Sequence, residues 1–355
     1  MDSKFGVLLA FFVLATAVFV PMTETAADDT ELFSYYSQLD ESSTLVYKEV
    51  SKATSVDGTT KDFSIGFVKT ELFETVADAE KYANLAVDEA ITACYLTNPM
   101  VPYIWNYPVD KPEVKVTTSK VKQTYDDGKE TWYYVIDQVT FSLSVPEGIT
   151  AESMKSLNEE LQKIKPVGNT DADKVRSIIN TLNGLTFEKD GDGKISNIYK
   201  ALVEKRTTSA GVAQAFVQLC TNNNIPAIIV SGNCIQATEE KFSFWNYVYL
   251  EGDQSGTTMK SWYIVDASYS ASTGIAGYLT ELSFDGKTYS MSSAHYTDLT
   301  VTGPNDFVLP QVSKDKYVQV GGPSFLEVYG EKLLMILLGV IVVLTLVYAI
   351  RTGNI

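Results

Sequence analysis

The stretch that most constrains this chain lies between Ser209 and Asp266. It opens on Ser209-Ala-Gly-Val-Ala-Gln-Ala-Phe-Val-Gln-Leu-Cys220, where Ala210, Ala213, Phe216, Val217 and Cys220 recur at helical spacing. Small and apolar residues at that period make one face of an amphipathic helix. Three runs follow, Asn224 to Gly232, Phe244 to Leu250 and Trp262 to Asp266, rich in β-branched and aromatic residues and separated by polar turns. Such runs read as consecutive strands. The order predicts an α+β fold in which a helix lies on an antiparallel sheet.

Upstream, Thr44-Leu-Val-Tyr-Lys48 and Asp62-Phe-Ser-Ile-Gly-Phe-Val68 alternate and predict strands. Ala79, Tyr82, Ala83, Ala86, Val87, Ala90 and Ile91 predict a helix from Val76 to Tyr95, ending before Asn98-Pro99. Pro99, Pro102 and Pro108 punctuate Tyr103-Ile-Trp-Asn-Tyr107, an aromatic cluster better suited to a core than to a ligand. Asp126-Asp127-Gly128 is a hairpin signal between strands at Val114 to Gln123 and Thr131 to Asp137. Val139 to Val145 alternates as a third strand, and helices follow at Ala151 to Lys165 and Asp171 to Leu182, the latter with Asp171 as its cap. A boundary near Pro166-Val-Gly-Asn169 divides a small N-terminal α+β domain, 28–166, from the helix-and-sheet unit, 167–312. A length of 355 residues suits two domains of ordinary size.

The residues Gly211, Ala213, Ala215, Phe216, Leu219, then Ile225-Pro226, Val230-Ser-Gly232, Trp245-Asn246 and Trp262-Tyr-Ile-Val-Asp266 stand in a telling order. In order and spacing they resemble the transglutaminase-like domain, a papain-related superfamily that includes transglutaminases, thiol proteases and amidases. Ser196-Asn-Ile-Tyr-Lys-Ala-Leu202 resembles the lead-in to such domains, and the Pro-then-Trp segment after the first long helix is loosely similar to the region that accompanies them. The resemblance implies a papain-like core and an ancestral acyl-transfer chemistry through a thioester. It puts the nucleophile at Ser209, where the family has cysteine, and the histidine position at Ser243. Asp266 keeps the third position.

Two of those three positions are changed in kind. A cysteine at a helix N-terminus has its pKa drawn down until thiolate is present at neutral pH. A serine hydroxyl depends on an adjacent base to take its proton. Ser243 cannot be that base. The single histidine, His295, lies well beyond Asp266 in a Ser/Thr-rich loop, and reaches Ser209 only if residues 270–302 fold back over the helix start. The expectation is a degenerate triad, Ser209, Ser243 and Asp266, beside a cleft lined by Trp245 and Asn246, that binds an extracellular peptide or a cell-envelope polymer. Two alternatives stand beside it: an acyl-transfer enzyme working through Ser209, and a purely structural surface protein.

Charge and cysteine usage narrow the rest. A net charge of -16 argues against nucleic acid and against electrostatic binding to an anionic membrane surface. Cys94, Cys220 and Cys234 are too few for a disulfide framework, although Cys220 and Cys234 could bridge if helix and strand pack as expected. Glu188-Lys-Asp190-Gly-Asp192-Gly193 mimics the start of a calcium loop, but Tyr199 stands where a bidentate glutamate is needed. An acidic turn is the better reading, and no cofactor or metal is expected.

Both ends are apolar. Phe5 to Val20 after Lys4, followed by Pro21 and small residues through Ala26-Ala27, has the layout of a signal peptide over 1–27, an uncleaved anchor being the alternative. Leu333 to Ile350 carries no charge. At 1.5 Å per residue it would span roughly 27 Å, close to the hydrocarbon thickness of a bilayer. With Arg351 behind it, this predicts one transmembrane helix over 333–350 after a linker, 313–332, with the body outside and a cytoplasmic tail, 351–355. A GPI-anchor tail is the runner-up.

Overall fold

The computed structural model describes residues 33–107, 109–188, 196–236, 239–254, 256–267, 307–313, 317 and 320, together with strand pieces at 283–284, 287–288 and 295–296. The predicted signal peptide, the transmembrane segment, the tail and most of the acidic turn after Glu188 lie outside these residues. Among the described residues no helix is long and apolar enough to cross a membrane.

The described residues from Ser34 onward pack as one compact unit. It begins with helix α1, Glu41–Val50. The sequence predicts a strand at Thr44 to Lys48, and the structure corrects this. Asp40 caps the helix by accepting the Ser43 N–H at 2.6 Å, and Ser42, Ser43, Val46 and Val50 bury one helical face. The local alternation of apolar residues is overridden by that cap and that face.

Strand β1, Thr60–Gly66, and the hairpin of β2, Lys115–Thr124, with β3, Glu130–Ser144, form an antiparallel sheet in the order β1-β3-β2. Gly128 takes φ +79° in the hairpin turn, a conformation that costs glycine nothing. The two strands expected at 131–137 and 139–145 are one strand. Thr117 pairs with Gln138 and Thr118 with Ile136, so Asp137 is an extra residue and the strand bulges there without breaking. Helix α2, Val76–Thr97, packs on this sheet and on α1. The expected aromatic core is present: Tyr103, Trp105 and Tyr107 are buried, and Trp105 Nε1 donates to the Pro99 carbonyl at 2.8 Å.

Helices α3, Ala151–Lys163, and α4, Asp171–Leu182, follow. Each starts with a threonine capping box, so Thr170 and not Asp171 caps α4. Short parallel strands β4, Thr186–Phe187, and β5, Arg206–Thr207, lead into helix α5, Ser209–Thr221. Three long antiparallel strands come next: β6, Ala227–Gln236, β7, Glu239–Gln254, and β8, Thr257–Val265. Of the three two-residue pieces β9, β10 and β11, at 283–284, 287–288 and 295–296, only β11 joins this sheet, in the order β11-β6-β7-β8. The predicted helix-on-antiparallel-sheet order is thus observed. Helix α5 is more deeply set than an amphipathic helix, for of its residues from Ser209 to Cys220 only Gln218 is not buried. Cys220 and Cys94 are free buried thiols, so no bridge forms to Cys220; burial pushes the Cys94 thiol up to about 12.

One buried carboxyl sits apart from any site. Glu89 of α2 is fully buried; its Oε2 accepts the Ser43 hydroxyl at 3.0 Å, and its Oε1 has no partner. Burial raises its pKa to about 7, against the opposing Ser43 hydrogen bond and with a smaller push from the charge of Asp40. A raised folded pKa means that the group's stabilising contribution is complete below the ordinary carboxylate range and is lost as pH rises through about 7. Urea unfolding should therefore show Glu89→Gln more stable than the parent at pH 8, by about 2–3 kcal/mol, with the difference vanishing near pH 4.

Candidate functional site

Helix α5 begins inside the protein. Its neighbour is the segment 196–204, which ends in a π-helical turn, Lys200–Glu204, closed by Lys205 at φ +59°. Gly211 allows the approach. A Cβ at that position would meet the Thr207 hydroxyl, stand 2.7 Å from Ser196 Oγ and 2.8 Å from the Asn197 carbonyl. The Ile198 N–H donates to Gln214 Oε1 at 3.0 Å, and the Ser196 and Thr207 hydroxyls lie 3.2 Å apart. These buried polar contacts hold the start of α5 against its lead-in.

The other side of α5 meets the sheet. Ser209 Oγ accepts the backbone N–H of Phe244 at 3.1 Å, a contact across 35 residues of sequence. Asn246, two residues along β7, donates from Nδ2 to the Ala213 carbonyl at 3.1 Å and to the Ile228 carbonyl at 3.2 Å. One carboxamide thus ties the helix to two strands. Ser209 and Asn246 are both fully excluded from solvent, and Trp245 is 1% exposed.

The three expected triad positions fall at the start of α5, on β7 and just past the end of β8. Ser243 precedes the Phe244 whose N–H Ser209 holds, and it is buried. Asp266 follows Val265, the last residue of β8, which pairs with Asn246. Asp266 therefore stands level with Trp245, diagonal to Ser243 on the same pair of strands. It is 7% exposed. His295 is elsewhere: its strand piece pairs with β6, opposite Cys234, on the side of β6 away from β7. Strand β6 separates its backbone from Ser243. Trp245 and Asn246, expected to line a cleft, lie in the interior; Asn246 joins helix to sheet, and beside Trp245 on β7 the Tyr247 pKa is raised by burial to about 12. Among the described residues no group of histidine, cysteine and carboxylate side chains could hold a metal ion.

Chemically, the arrangement holds a hydroxyl at a helix N-terminus with a backbone donor aimed at its oxygen. Such a donor stabilises lone-pair density and takes no proton away. Activation of a serine requires a base within hydrogen-bond reach.

Residues 155–267 match the model of the Transglutaminase-like superfamily. The chain therefore carries a domain of that superfamily, and the match takes in most of α3, then α4, α5 and the strands β6–β8. Likenesses to solved structures are distant. A transglutaminase (TGase) structure shares 11% identity at a TM-score of 0.27, over 44% of this chain and 45% of that one. A candidate cysteine protease from Cytophaga hutchinsonii shares 13% at 0.24, over 44% and 65%. The periplasmic domain of TgpA from Pseudomonas aeruginosa, bound to ethylmercury, shares 14% at 0.23, over 45% and 68%. The chain thus spans less than two thirds of the first two. The assignment of the domain rests on the family model. No curated protein matches.

Because the Gly211 contacts are with backbone and buried hydroxyls, they cannot move aside cheaply. Gly211→Ala should cost about 1–3 kcal/mol in urea unfolding, a destabilisation from overpacking that Gly128→Ala, with nothing near its side chain, would not share by the same route.

Proposed function

We propose that this is a membrane-anchored, extracytoplasmic transglutaminase-like protein that has lost acyl-transfer catalysis and serves as a surface module binding a peptide or a cell-envelope polymer. In this reading Ser209 and Ser243 occupy the family's nucleophile and base positions, and Asp266 is the retained third member. The layout is the one expected from the sequence: a signal peptide, an N-terminal α+β domain over 28–166, the transglutaminase-like domain over 167–312, and a span over 333–350. The family match begins somewhat earlier, at 155, inside α3.

The observation that carries the reading is the state of Ser209. Its side chain is fully buried, and its oxygen receives the Phe244 N–H. A hydroxyl so placed acts as an acceptor that joins helix to sheet. At the position where the family has its histidine stands Ser243, which is no base, and the backbone of the single histidine pairs with β6 on the side away from β7. Loss of the members of a nucleophile–base unit costs about a million-fold in turnover.

Incubating the full chain with a fluorophosphonate reagent specific for activated serines tests this. No label should enter at Ser209 under conditions that saturate a serine hydrolase. Stoichiometric labelling abolished by Ser209→Ala would overturn the inactive reading.

A further inference from the structure

A second polar site lies at the opposite end of α5 from Ser209. Between α3 and the last turn of α5 runs a groove of about 440 Å³. Five carboxamides line it: Asn158 and Gln162 from α3, and Gln218, Asn222 and Asn223 from the end of α5. Lys165 is its one charged lining residue, in a chain of net charge -16. The floor includes Leu161, which is buried.

The spacing of the carboxamides matters more than their number. Asn158 and Gln162 are four apart on one helix, and Gln218 and Asn222 are four apart on the other, so each pair shares a face. Such neighbours stand about 5–6 Å apart at Cβ. An extended chain repeats every two residues at about 6.6–6.8 Å, presenting a carbonyl and an N–H alternately to either side. A carboxamide carries one acceptor oxygen and two donor hydrogens, the complement of a peptide unit. Two such pairs lining one groove can therefore hold one extended main chain between them.

The internal bonds leave that capacity open. Gln218 Nε2 donates to Asn222 Oδ1 at 2.9 Å, which occupies neither Gln218 Oε1 nor Asn222 Nδ2. Asn223 Nδ2 donates to the Leu219 carbonyl at 2.8 Å, which leaves its oxygen unused by that bond. Asn158, Gln162 and Asn222 are exposed, so a ligand reaches them without displacing packed structure.

We propose that this groove is a binding site for an extended polypeptide segment, read through its main chain and largely independent of side-chain sequence. The proposal does not rest on the fate of Ser209; the groove would bind peptide in an active or an inactive domain.

The probe is a fluorescein-labelled, end-blocked peptide of alternating serine and alanine, titrated with the full chain and followed by anisotropy. Binding should weaken by at least about tenfold when the peptide's backbone nitrogens are methylated, since each lost hydrogen bond is worth roughly a factor of five. The same loss should follow Asn158→Ala with Gln162→Ala, in a protein whose thermal midpoint is unchanged. Asn222→Ala provides a second variant on the other wall. No binding of the unmodified peptide, equal binding of the methylated one, or indifference to both sets of variants overturns the proposal. So does saturable binding of a neutral chito-oligosaccharide at this groove in place of the peptide. The phosphonate experiment reads Ser209 alone, so the two readings fail separately.

Discussion

The contact between Ser209 Oγ and the Phe244 N–H sets the geometry of the C-terminal half. A helix with almost no exposed face can be packed on a sheet in several rotational settings of similar apolar burial, and apolar contact alone does not choose among them. Directional bonds do. The Ser209 acceptor fixes the N-terminus of α5 against β7, and the Asn246 carboxamide fixes the helix one turn later against β6 and β7 together. Gly211 lets the lead-in close on the same turn from the other side. Leaving any of these buried partners unsatisfied costs about 1–3 kcal/mol, a large share of a domain's net stability.

A helix N-terminus buried in this way has two possible uses. A helix N-terminus set against the edge of a sheet suits a nucleophile, because it supplies local positive potential and a fixed position. The same setting suits a buried hydrogen-bond acceptor. A serine there accepts a backbone donor without any general base, so the element serves packing whatever else it does. The superfamily match over 155–267 takes in both the helix and the strand that this bond joins. The carboxamide groove at the other end of α5 then offers a means of engaging a chain without reacting with it.

Much of the fold was legible because its signals are long and redundant. The α2 periodicity, the Asp126-Asp127-Gly128 turn and the helix-then-strands order from Ser209 each draw on many residues. Short signals failed. Thr44 to Lys48 alternates like a strand, yet the Asp40 cap upstream and the buried serines decide for a helix. The break expected near Gln138 is a bulge, because an extra residue can be absorbed within one strand and leaves no turn signature. The resemblance assigns triad positions, but it says nothing of the role of Asn246. Whether an asparagine faces a cleft or ties a helix to a strand depends on which groups lie opposite, and those come from residues some eighteen and thirty-three positions away. The groove was written in the i, i+4 pairs of Asn158 with Gln162 and Gln218 with Asn222; each pair alone looks like an ordinary solvated helix face, and only their packing gives it meaning.

The central claim, that Ser209 is held as a structural acceptor, has a direct readout at one amide. Hydrogen exchange at the Phe244 N–H, compared between the parent chain and Ser209→Ala under native conditions, isolates the bond in question. The account predicts that the parent amide is strongly protected and that the substitution speeds its exchange by at least about tenfold, the loss of one buried hydrogen bond. Equal protection in both proteins would mean that Ser209 does not hold this donor, and the structural role assigned to it would be contradicted.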